Sequence, residues 1–248
     1  MPEWDYANLT RMAEPGIRLY ELALENGRSA SPFVWRIRYA LRHKGLPFES
    51  VYVGFREIAA CCSGRFKTVP ILECGATAMA ESWDIAQYLD AAYPAAPPLF
   101  ANPAELALVR LMDEWFTWEV LRKMFRMYIL DVHNAARPED RPYFRESRES
   151  RFLKGKSLEA FTADREKYLP TLRDALNPLR SQLQRFPFMG GAAPNYADYI
   201  VLGAFIWAAS VGTLAMLAAD DSLRAYVERG FDLYEGMARD PRMNSLFE

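Results

Sequence analysis

Four prolines fall within one ten-residue stretch of this chain, Pro94, Pro97, Pro98 and Pro103, and they restrict the fold more than any other feature. Proline has no amide proton to donate inside a helix, and it drives the residue before it toward extended geometry. The segment 94–103 is therefore predicted to be an extended linker. The patterns on its two sides differ. Residues 17–93 alternate short β-type runs with helical ones, whereas the chain after 104 shows helical periodicity throughout. The prediction is an α/β domain at 17–93 and an all-α domain at 104–248, with 1–16 as an N-terminal extension. A chain of 248 residues has room for both cores.

In the first part, Ile17–Leu22 reads as a strand and Ser31 to about Lys44 as a helix. Val34, Ile37 and Leu41 mark the buried stripe of that helix, Phe33 and Ala40 widen it, and Gly45 ends it. A strand at 48–53, a short helical stretch near 56–62, strands at 69–73 and 76–80, and a helix at 82–93 follow. The order β-α-β-α-β-β-α predicts a small mixed sheet, parallel where the crossovers are helical and antiparallel at a hairpin around Gly75, with Cys74 in its turn. In the second part, helices are predicted at 104–130, 164–185, 196–217 and 221–238, with a polar segment at 131–163. Asn195 and Asp198 have the spacing of a capping box at the start of the third of these helices.

Composition removes several classes of function. A net charge of −2 supplies no field for nucleic acid or an anionic membrane. The most apolar stretch, Tyr199 to Ala219, reads as a buried helix rather than a membrane span. The N-terminus lacks the basic and apolar regions of an export signal, so a cytoplasmic protein is expected. With three cysteines in no framework spacing and only His43 and His133, neither a disulfide scaffold, a metal site nor a Ser-His-Asp triad is expected.

Three helix or strand starts could carry chemistry. Ser31-Pro32 places a hydroxyl at an N-cap, where unpaired amides and the helix dipole favour an anion; a serine there could hold a thiolate by donating one hydrogen bond, or could simply cap the helix. Thr68-Val69-Pro70 puts proline at the start of a strand, where a cis bond would free the Val69 main chain to pair with an extended peptide. Glu81-Ser82 offers a carboxylate and free amides at another helix start, suited to an amino-acid moiety, with a plain cap as the alternative.

Taken together, strand-SPFV-helix, TVP and ES-helix resemble the glutathione transferase superfamily, from about residue 17 to the C-terminus. SPFVWRIRYALRHKGLPFE, GRFKTVPIL, ESWDIAQYLD, ADYIVLGAFIWAAS and RGFDLYEGMARDPRMNSLF look more closely like bacterial lignin β-etherases and fungal etherase-like relatives. This resemblance implies a thioredoxin-like N-terminal domain, glutathione as co-substrate without a metal, and a homodimer. It implies that Ser31 contacts the glutathione sulfur, that Val69 holds the cysteinyl backbone beside a cis Pro70, and that Glu81 and Ser82 bind the γ-glutamyl end. Arg65 or Lys67 would meet the glycyl carboxylate. An aromatic substrate is expected against Trp118, Met124, Met127, Tyr128 and Trp207, undergoing thiolate attack with cleavage of a β-aryl ether. A general conjugating or reducing enzyme for other aromatics, and a non-catalytic binder of glutathione or a hydrophobic ligand, are the alternatives. Neighbouring Ser29 could share the role of Ser31.

Overall fold

The computed structural model describes residues 16–248, so the expected N-terminal extension lies, apart from Gly16, outside the described residues. A four-stranded sheet in the order β2-β1-β3-β4 is built from β1 (Ile17–Leu22), β2 (Phe48–Val53), β3 (Ile71–Cys74) and β4 (Thr77–Ala80). The helix α1 (Pro32–His43) connects β1 to β2, which pair in parallel. Val34, Ile37, Ala40 and Leu41 of α1 have no exposure, so the predicted stripe is the face that packs. The helix α2 (Ser82–Ala92) follows β4. This is the thioredoxin-like arrangement.

One expectation about the sheet is corrected. The crossover from β2 leads not to a parallel strand but to β3, which pairs antiparallel with β1 from Ile17↔Cys74 to Tyr20↔Ile71. The link carries only a kinked 3-10 turn, Ile58–Gly64, in which Cys62, Ser63 and Gly64 have left-handed backbone. No α-helix spans the sheet there to return the chain for a parallel strand. Cys74, expected in the hairpin turn, instead ends β3 opposite Thr77 and is buried.

The remainder of the chain is helical. α3 (Pro103–Phe116), a π-turn (Thr117–Leu121) and α4 (Arg122–Ala135) form one continuous rod that runs past its expected end at 130. The segment 131–163, expected to be merely polar, folds into the end of α4, α5 (Arg141–Arg151) and α6 (Leu158–Thr162). Asp131 and Asp140 are buried with Phe144, Leu153 and Leu158, and the other charged residues of the segment are half-buried or exposed. The predicted helix at 164–185 is broken into a 3-10 turn and the short helices α7 (Leu169–Ala175) and α8 (Asn177–Leu183), each opening on proline, because proline suits a first turn and not an interior.

α9 (Tyr196–Val211) starts on the predicted capping box and is buried along its whole length. It stops at Val211 rather than 217. At Gly212 the backbone turns extended, and a Cβ there would meet the Tyr128 ring at 2.6 Å. α10 (Arg224–Gly236) ends in left-handed residues Tyr234 and Glu235. Among the described residues no helix is long and apolar enough to cross a membrane.

The contact between α1 and α9 joins the two halves. A Cβ on Gly203 would lie 2.5 Å from the Pro32 carbonyl oxygen, so glycine lets α9 press on the first turn of α1. Beside it, the fully buried Arg36 of α1 pairs with Asp113 of α3 at 2.8 Å.

Candidate functional site

The strand register places three loop ends at one edge of the sheet. β3 begins at Ile71, opposite both Tyr20 of β1 and Ala80, the last residue of β4. Consequently Pro70 precedes β3, Glu81 follows β4 and the loop toward Ser31 leaves β1 at that same edge.

Ser31 is the N-cap of α1, with extended backbone, and its Oγ accepts a long 3.4 Å bond from the Val34 amide. It is 7% exposed. Among the described residues its hydroxyl proton has no acceptor, so it remains available to an anion at the positive end of the helix. The preceding loop is pinned from several directions. The Ala30 amide donates to Leu22 O at 2.9 Å, Trp35 Nε1 to Ser29 O at 3.3 Å, and Arg28 Nη2 to Ser210 O at 2.6 Å. Ser29 lines a different hollow from Ser31, on the side of Arg28 and Met237.

The Val69–Pro70 bond is cis. Lys67, Thr68 and Val69 line the same cavity as Ser31. Arg65 does not: its Nε donates back to the Cys62 carbonyl at 3.2 Å and its guanidinium stacks on Phe66. Glu81 caps α2 with φ of 68° and an exposed side chain, whereas Ser82 is buried. Tyr196 Oη, at the start of α9, donates to the Ser82 carbonyl at 2.8 Å, which ties the first turn of α2 to the helical half. Glu81, Ser82 and Pro70 stand at the shared edge but do not line the cavity.

That cavity is about 250 Å³ in volume and lies between the two halves. From the α/β half it takes Ser31, Pro32, Phe33, Phe55 and Ile58; from the helical half Leu121, Phe125, Ile129, Val132, Phe144, Arg148 and Trp207. Concave, mainly apolar sites with a few polar groups are how small ligands are held. Of the five residues expected to form an aromatic pocket, only Trp207 lines it.

The other four lie outside its lining. Trp118 is 59% exposed on the π-turn, stacked under the Arg122 guanidinium. Met124, Met127 and Tyr128 have no exposure, and Tyr128 Oη donates to Leu214 O at 2.8 Å. Those three turn into the helical core. The neighbouring face, Leu121, Phe125, Ile129 and Val132, reaches the cavity, and its spacing of four, four and three is the signal that marks it as one face. Phe144 and Arg148 were missed because their segment read as polar; they recur at i and i+4 on α5. Phe55 meets Phe144 edge-on at 4.8 Å, closing the cavity between the halves. Burial holds the Arg148 guanidinium below its ordinary pKa.

Residues 27–98 match a family described as "Glutathione S-transferase, N-terminal domain", and residues 107–216 match "Glutathione S-transferase, C-terminal domain". A glutathione S-transferase-like protein of Aspergillus flavus is 26% identical over 211 residues, 73% of this chain and 74% of its own. A glutathione S-transferase of Ceriporiopsis subvermispora, solved in complex with glutathione, superposes with a TM-score of 0.77 at 22% identity, over 91% of this chain and 99% of that one. A glutathione transferase of Phanerochaete chrysosporium does so with a TM-score of 0.67 at 25% identity, over 89% and 93%.

Proposed function

This chain belongs to the glutathione S-transferase superfamily, and we propose that its Ser31 stabilises the glutathione thiolate for attack on an apolar aromatic electrophile held in the cavity between the two halves. The observation that carries the reading is the Ser31 hydroxyl itself, capping α1 at the cavity wall with an uncommitted proton. A hydrogen bond donated to a charged partner is worth about 1.5–3 kcal/mol. Acting with the helix terminus, that is enough to bring a thiol of unperturbed pKa about 8.5 close to neutrality.

The other residues position the tripeptide. The Val69 main chain, freed at the start of β3, pairs with the cysteinyl unit, and Glu81 with Ser82 receives the γ-glutamyl end. Lys67 is favoured over Arg65 for the glycyl carboxylate, since Lys67 lines the cavity and Arg65 is turned back on Cys62. Phe125, Ile129, Phe144 and Trp207 supply the apolar wall for the second substrate. Positioning and thiolate stabilisation are the protein's whole contribution. In the etherase form of the reaction, the sulfur forms a bond to the carbon beside a ketone, the carbon–oxygen bond of the aryl ether breaks, and the phenolate leaves with the electron pair. The cytoplasm, where thiols are kept reduced, is the setting this chemistry implies. A homodimer is part of the same proposal, and the exposed Leu108 and Leu111 of α3 offer an apolar strip for it.

The test is an ultraviolet titration of bound glutathione from about pH 5 to 9, with wild type and Ser31→Ala. The wild type is expected to lower the thiol pKa, and the variant to raise it again by about 1–2 units. A bound thiol with unchanged pKa in the wild type would indicate a binder without catalytic function. Phenol release from a β-aryl ether ketone, compared with adduct formation from a generic aryl halide, separates etherase from general conjugating activity.

A further inference from the structure

A second hollow, of about 580 Å³, opens beside the first along the π-turn and α4. The two share Leu121, Phe125 and Arg148, so Arg148 stands where one passes into the other. Its guanidinium lies among three phenylalanine rings, 4.8 Å from the Phe144 centroid, 5.4 Å from Phe152 and 5.9 Å from Phe55. Among the described residues its one side-chain hydrogen bond goes to Ser147 Oγ at 3.2 Å.

Among the described residues no carboxylate pairs with it. Of the acids nearby in the chain, Glu149 and Glu159 are taken by Arg145 and Asp164 by Arg126, and Glu146 is exposed and turned to no cation among the described residues. Arg122, on the same hollow, likewise has an aromatic neighbour in Trp118 and, among the described residues, no carboxylate partner. A cation in an apolar wall without an anion is disfavoured by its lost hydration. A guanidinium is built to receive a carboxylate through two parallel hydrogen bonds.

We propose that the second hollow receives the carboxylate end of an elongated aromatic substrate, held by Arg148, while the apolar body of that substrate lies against Phe125 in the first hollow. The proposed aromatic electrophile is thereby narrowed to one whose apolar body carries a carboxylate at its far end. The word substrate rests on the proposed glutathione transfer; the binding site does not.

The experiment is calorimetric titration of the full chain with biphenyl-4-carboxylate and with its methyl ester. The wild type is expected to bind the acid about tenfold more tightly than the ester, with the difference shrinking as salt is raised. Arg148→Gln should abolish the preference while leaving ester binding within about twofold, which also reports that the cavity is still folded. Arg148→Lys should restore part of it. Equal affinity for acid and ester in the wild type, or a preference that survives Arg148→Gln, overturns the proposal. A parallel assay with an aryl chloride bearing a carboxylate separates the two readings: acid-selective binding without a glutathione adduct refutes the transfer reaction alone, and adduct formation without acid selectivity refutes the carboxylate site alone.

Discussion

Ser31 owes its place in part to Gly203, which lets α9 press on the first turn of α1. Because an added Cβ would press on the Pro32 carbonyl, Gly203→Ala must push α1 and α9 apart. Overpacking of this kind costs about 1–3 kcal/mol. We expect a lower thermal midpoint together with weaker glutathione binding by calorimetry; a variant that is destabilised but binds normally would show that the helix start tolerates displacement. His43 makes a second prediction. Its Nδ1 lies 2.6 Å from Tyr199 Oη, and burial holds its pKa below the ordinary value. Between that lowered value and about 6.5 the unfolded chain binds more protons than the folded one, so stability rises with pH across this window. The contribution is complete above the unfolded pKa and is lost as pH falls toward the folded one. Thermal melts between about pH 7 and 5 should show the loss, and His43→Gln should flatten that part of the profile. The hydroxyl at residue 31 could be read from the sequence as a helix cap. That its proton has no competing acceptor could not, because this depends on what the fold brings near it.

The rod from α3 through α4 illustrates how a correct element can present an unexpected face. Aromatic and methionine residues crowd this stretch, and their identity suggested a pocket. The packing of α4 within the helical half instead buries Met124, Met127 and Tyr128, and Trp118 on the π-turn stands in solvent. The two faces predict different mutant behaviour. Phe125→Ala should raise KM for the aromatic substrate and leave KM for glutathione unchanged. Met124→Ala should lower stability by about 2–5 kcal/mol, measured by denaturant unfolding, with little effect on KM. Trp118→Ala should alter stability by no more than about 0.5 kcal/mol. An effect of Trp118→Ala on substrate KM would restore it to the site. α5 teaches the converse: its charged sequence concealed Phe144 and Arg148, because a helix with an apolar stripe one residue wide reads as polar by composition alone.

The two halves of the protein share one core and, among the described residues, one buried ion pair. Buried residues of the sheet, α1, α4 and α9 form a continuous apolar cluster, and Arg36–Asp113 bridges the halves with both side chains at least nine-tenths buried. Removing one partner of such a pair leaves an uncompensated charge, costing about 3–5 kcal/mol. Asp113→Ala should therefore destabilise by that amount, and the wild type should unfold in one transition by both far-ultraviolet circular dichroism and tryptophan fluorescence; separate transitions would show that the halves fold independently. The proline joint and the change of periodicity across it were enough to set the division into an α/β and an all-α half, because they depend only on local backbone chemistry. The same holds for the strands, for the start of α1 and for the capping box of α9. The antiparallel course of β3, the face of α4 that meets the cavity and the unpaired state of Arg148 were decided by tertiary structure alone. Each depends on which distant segments come into contact, and local periodicity carries no record of that.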